Sequence, residues 1–138
     1  MPGIKRVVIT FILLTVTVLF ADIHWQKDLS SAFKKAKQEQ KTVMVLVTGK
    51  HCRWCKKMKY RTLRNKKVKK RLAPYIVVEV KNEDSRALKT LPKVESVPRI
   101  FFLTADKKLI ASVRGYYNTD DFIAFIDSLE QNVPLQKL

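Results

Sequence analysis

The sequence predicts an α/β domain, with a mixed sheet of about four strands and helices on both of its faces. Three observations carry that prediction. Short β-branched runs alternate with stretches whose apolar residues recur every three or four positions. The first two runs flank a helical stretch, the arrangement in which a crossover joins parallel neighbours. The last two flank only a short turn, as in an antiparallel hairpin.

Asp28 is placed to cap a helix starting at Leu29, whose buried stripe is Leu29, Ala32, Phe33 and Ala36 and which ends near Gln40. Residues 42–48 read Thr-Val-Met-Val-Leu-Val-Thr, an unbroken apolar run suited to a central strand covered on both faces. Gly49 ends it. A helical stretch with Met58, Leu63, Val68 and Leu72 follows, interrupted or re-started at Asn65 and closed by Pro74. Residues 75–80 form the second strand, and residues 82–90 hold a short helix or turn. Arg99 to Leu103 and Leu109 to Arg114 form the hairpin, joined by a turn at 104–107, and Gly115 ends it. Thr119 or Asp120 caps a final helix with Phe122, Ile123, Phe125, Ile126 and Leu129 on its apolar side. Trp25 and His24 read as packing or loop residues.

Residues 1–21 differ from the rest. Lys5 and Arg6 precede a run, 7–20, that is apolar except for three threonines, and Ala21 is followed by charge. This is the layout of a secretory signal peptide, with an uncleaved N-terminal anchor as the alternative. Either places the domain, residues 22–138, outside the cytoplasm. The last residues, Leu135 to Leu138, do not form an endoplasmic-reticulum retention signal, which favours a bacterial periplasm.

The chain carries a formal charge of +16; without Lys5 and Arg6, 26 basic residues face 12 acidic ones, leaving +14. Such a surface attracts acidic proteins or anionic membranes, and export argues against nucleic acid. A merely solvated basic face accounts for the same composition.

The chain has two cysteines, Cys52 and Cys55. A bridge between residues this close closes a tiny ring and constrains the unfolded chain little, so chemistry explains the pair better than stability. The stretch Gly49-Lys50-His51-Cys52-Arg53-Trp54-Cys55-Lys56 joins a predicted strand to a predicted helix. Cys52 therefore sits at a helix N-terminus, where free amide hydrogens and the helix dipole favour an anion, here a thiolate. Arg53, Lys56 and His51 add positive charge that favours the same state. Cys55, one turn on, is the candidate resolving thiol that attacks a mixed disulfide formed at Cys52. A closed zinc site would want two more ligands, and with no further cysteine and only His24 and His51 to draw on it is disfavoured; the order of residues is wrong for covalent haem. Copper(I) on His51, Cys52 and Cys55 stays open as an alternative.

Together these features resemble the thioredoxin superfamily, and in particular its small exported branch with Cys-x-Trp-Cys-Lys-x-Met, here Cys52 to Met58. The resemblance covers about residues 29–129 and includes Ser96-Val97-Pro98 before a strand and Gly115-Tyr116 before the last helix. It implies a thioredoxin fold and thiol–disulfide oxidoreductase activity on protein disulfides. It also implies an upstream redox partner, no cofactor beyond the Cys52–Cys55 pair, and a reductase direction. It further implies a cis bond before Pro98, with Val97 offering backbone groups to an extended substrate; without it, Pro98 reads as a trans proline opening a strand. Trp54 is the candidate substrate platform, with partial burial against the domain as the plainer role. The sequence departs from the pattern at Leu46, where many members carry a buried aspartate. Glu79 on the neighbouring strand reads as a solvated carboxylate, with a substitute acid as the alternative. A copper-carrying or partner-binding module with little turnover is the other functional reading.

Overall fold

A computed structural model describes residues 22–133. The leader and anchor readings of residues 1–21 lie outside the described residues. The elements are β1 (Trp25–Gln26), α1 (Leu29–Glu39), β2 (Val43–Thr48), α2 (Arg53–Lys57), a π-helical turn (Met58–Thr62) and α3 (Lys66–Leu72). They continue with β3 (Ile76–Lys81), α4 (Ser85–Leu88), β4 (Arg99–Leu103), β5 (Leu109–Arg114) and α5 (Thr119–Asn132).

The sheet has the order β1-β3-β2-β4-β5. β2 pairs parallel with β3 and antiparallel with β4, and β5 closes the hairpin on β4. All of β2 is buried, as its unbroken apolar run requires. The sheet has five strands, not four. The added one is β1, parallel to β3 through Trp25↔Val77 and Gln26↔Val78. Trp25 is therefore a strand residue at the sheet edge, packed against the core.

Alternation along the strands divides the core in two. Met44, Leu46, Val77, Ile100 and Phe102 face Met58, Leu63, Val68 and Leu72 of the α2–α3 segment and Phe122, Ile126 and Leu129 of α5. Val43, Val45, Val47, Ile76, Val78 and Phe101 face Leu29, Ala32, Phe33 and Ala36 of α1 on the other side. None of the helices among the described residues is long and apolar enough to cross a membrane.

The caps follow side-chain chemistry. Asp28 accepts from the Ser31 amide at 2.7 Å and starts α1, which Gln40 ends in a left-handed conformation. Asn65 accepts from the Lys67 amide at 2.9 Å and re-starts the chain as α3. Asn118, rather than Thr119 or Asp120, caps α5, accepting from the Asp121 amide at 2.9 Å. Its side chain thus leaves Asp120 and Asp121 in the first turn, where their charges suit the positive end of the helix dipole. Arg71 then ties α3 to α5, pairing with Asp127 and, at 2.9 Å, with Glu130.

Candidate active site

The site forms where β2 hands over to α2. Gly49 leaves room for the segment before β4: a Cβ here would meet Val97 Cγ2 at 3.1 Å. His51 follows in a left-handed conformation with φ of 53° and is exposed. Cys52 returns to an extended backbone and becomes the N-cap of α2, its Sγ accepting from the Cys55 amide at 3.1 Å. A sulfur thus takes the place of the usual capping oxygen. Cys52 is half-buried and Cys55 is buried, and the two form a disulfide with Cα atoms 5.2 Å apart. The less buried cysteine before the covered one is the order expected of a nucleophile and its resolver.

Opposite Gly49, the Val97–Pro98 bond is cis, as the resemblance implies. The Pro98 carbonyl accepts from the Gly115 amide at 2.9 Å, and Gly115 itself has φ of 77°, a conformation suited to glycine. Among the described residues, neither backbone group of Val97 has a protein hydrogen-bond partner. Val97 is half-buried and Pro98 buried.

Trp54 is partly buried against the domain and leaves one side open to solvent. It is 45% exposed, and its ring packs on Tyr116 with centroids 5.5 Å apart. The Lys57 ammonium lies 4.9 Å from each of the two ring centroids, and the Arg53 guanidinium lies 5.3 Å from that of Trp54. The loop carrying Tyr116 is pinned from below: buried Thr62, in the π-helical turn, donates to the Tyr117 carbonyl at 2.7 Å. Arg53 and Lys56 are both exposed. The pairing of Tyr116 with Trp54 escaped the sequence reading, although the residues following Gly115 offered the position.

Glu79 is a correction. Rather than a solvated carboxylate, it is only 14% exposed and is held by three donors. Thr48 donates at 2.8 Å, Lys81 at 2.6 Å, and Lys59 from the π-helical turn forms an ion pair with it. Burial pushes its pKa up, but hydrogen bonds from Lys59, Lys81 and Thr48 outweigh burial and bring it down to about 2. Leu46, its neighbour across the β2–β3 ladder, is fully buried. A carboxylate titrating that low is a weak base at neutral pH, so the pinned anion is poorly suited to taking a proton from Cys55. Among the described residues, no group of three or more His, Cys, Asp and Glu side chains gathers at a metal-sized site.

The sequence model of the thioredoxin-like domain matches residues 29–130. A thioredoxin from Thermus thermophilus superposes with a TM-score of 0.69 at 19% identity, covering 79% of this chain and 88% of that one. The DsbH oxidoreductase superposes with a TM-score of 0.62 at 21% identity, covering 80% and 86%. The reduced C-terminal domain of Neisseria meningitidis DsbD gives 0.58 at 23% identity, covering 75% and 93%. No curated protein matches the sequence.

Proposed function

Since the chain belongs to the thioredoxin-like domain family, with the match spanning almost the whole described domain, we propose that it is an exported thiol–disulfide oxidoreductase acting on protein disulfides through Cys52 and Cys55. The observation that carries this reading is the pair itself. A half-buried sulfur caps α2 and is bridged to a covered one a turn later, beside the cis Val97–Pro98 segment.

In the reductase direction the reduced Cys52 thiolate attacks one sulfur of a substrate disulfide. A Cys52–substrate disulfide forms and the other substrate sulfur leaves as a thiolate. Cys55, deprotonated, then attacks Cys52 Sγ, closing the Cys52–Cys55 disulfide and expelling the second substrate thiolate. The substrate gains two electrons and takes up two protons, and the enzyme loses the same. An upstream dithiol returns them. The Cys55 amide stabilises the Cys52 thiolate by donating to its sulfur, and Arg53 and Lys56 favour the anion through space. Val97 is free to pair its backbone with an extended substrate segment, and Trp54 with Tyr116 supplies an apolar shelf. His51, in the turn just before Cys52, adds to the positive surroundings when protonated.

The basic and apolar pattern of residues 1–21 supports export to the periplasm, by cleavage after Ala21 or retention as an anchor. N-terminal sequencing of the exported protein, starting at Asp22 or at the original end, decides between them. The trapping variant Cys55→Ser tests the activity. It is expected to hold substrates as stable mixed disulfides through Cys52, which mass spectrometry then names. Capture by Cys52→Ser but not by Cys55→Ser reverses the assigned roles.

A further inference from the structure

Next to the redox pair lies an open groove of about 420 Å³, lined by Arg53, Trp54, Lys56, Lys57, Tyr60 and Arg61. Four of these six side chains are cations. The other two are Trp54 and Tyr60, 45% and 56% exposed, and among the described residues only Leu109 joins them as a large exposed apolar side chain. Several basic residues elsewhere find partners, with Lys59 and Lys81 on Glu79, Lys69 on Asp22, Arg71 on Asp127 and Glu130, and Arg114 on Glu95, while others, Arg64, Lys66 and Lys67 among them, pair with no described carboxylate. Among the described residues no carboxylate lies within 4.0 Å of the Arg53, Lys56, Lys57 or Arg61 cations. Among the described residues the two exposed aromatic side chains, Trp54 and Tyr60, thus lie together with unpaired cations in the groove next to half-buried Cys52.

We propose that this groove binds an acidic peptide segment flanking the disulfide of the substrate, so that the enzyme selects protein disulfides set in acidic sequence. The inference rests on the oxidoreductase reading and deepens it. A substrate disulfide in line with Cys52 brings its flanking residues over α2, which immediately follows Cys52, and the π-helical turn after it, whose side chains together form the groove. Carboxylates on that segment meet Arg53, Lys56, Lys57 and Arg61, while its apolar atoms lie on Trp54 and Tyr60. The chain's formal charge of +16 steers such a segment in from a distance. A flat lipid surface would meet the cations but not use a concave groove alongside a sulfur.

The test uses the reduced full chain and peptides that each hold one disulfide flanked by Glu, Gln or Lys residues. Several exposed ion pairs together predict a kcat/KM for the acidic peptide roughly tenfold above that for the neutral one, expressed mainly in KM. The ratio falls toward one as salt is raised, because exposed pairs are screened. Arg61→Glu lowers the acidic-to-neutral ratio severalfold and Arg61→Lys restores it. A ratio of one at low salt, with the neutral peptide turning over, overturns the acidic groove and leaves the oxidoreductase reading standing. Failure of every peptide to react overturns the exchange reading itself. Phosphatidylglycerol vesicles form the other arm: a peptide ratio of one with vesicle binding lost in Arg61→Glu makes the groove a headgroup surface and overturns the proposal.

Discussion

Replacing Glu79 with Gln keeps the shape of the side chain and removes its charge, leaving Lys59 and Lys81 without their anion. Glu79 has its ordinary pKa at 4.5 and falls to about 2 in the fold. Taken at face value, that separation is worth about 3 kcal/mol. Lys81 is 63% exposed and Lys59 28%, so water screens part of it, and about 1.5 kcal/mol is the figure to expect. The sign follows from the direction. A folded-state pKa held below the unfolded one stabilises the fold fully above pH 4.5, and the contribution is lost as pH falls from there to about 2. In urea unfolding of the oxidised protein, Glu79→Gln is therefore less stable than wild type near neutral pH by about 1.5 kcal/mol. The two unfolding curves converge as pH approaches 2. A Glu79→Gln protein as stable as wild type at neutral pH, or one whose stability keeps a constant distance from wild type down the pH scale, refutes the pinned-anion account.

Three further outcomes follow from the same structure. Asn65→Ala removes the side-chain acceptor of the Lys67 amide and costs about 1 kcal/mol in urea unfolding, while Asn65→Asp restores most of it. Gly49→Ala pushes against Val97 Cγ2, which the added carbon would meet at 3.1 Å; it raises KM for peptide disulfides severalfold with less effect on stability, read by steady-state kinetics against a thermal melt. Lys56→Gln takes one cation from beside the thiolate, so the alkylation midpoint of Cys52 moves to higher pH and the reduction potential becomes more negative, as glutathione equilibration reads directly.

Much of the fold was legible because it is written in local patterns. The all-apolar run of residues 42–48 identified the central strand, and the spacing of Leu29, Ala32, Phe33 and Ala36 identified the buried side of α1. Asn65 marked the restart of the helix, though the π-helical turn before it left no trace in apolar spacing. β1 was missed because two residues make no run: Trp25 and Gln26 are a strand only by virtue of β3 beside them. The α5 cap was placed one or two residues late because Asn118, Thr119 and Asp120 are all capable N-caps, and only backbone geometry chooses among them. The redox pair was legible because its chemistry is carried by sequence neighbours. The Glu79 cluster and the Trp54–Tyr116 shelf were not, since each joins residues far apart in the chain. Alternation put Glu79 on a strand but did not reveal that Lys59 reaches it from the helical segment above.

The central claim is that Cys52 holds a reactive thiolate and Cys55 a covered one. Competitive iodoacetamide alkylation of the reduced protein near neutral pH, resolved by peptide mass spectrometry, measures this directly. The account predicts that Cys52 is modified far faster than Cys55 and with a midpoint below that of free cysteine. Equal rates at the two thiols, both matching cysteine in solution, contradict it.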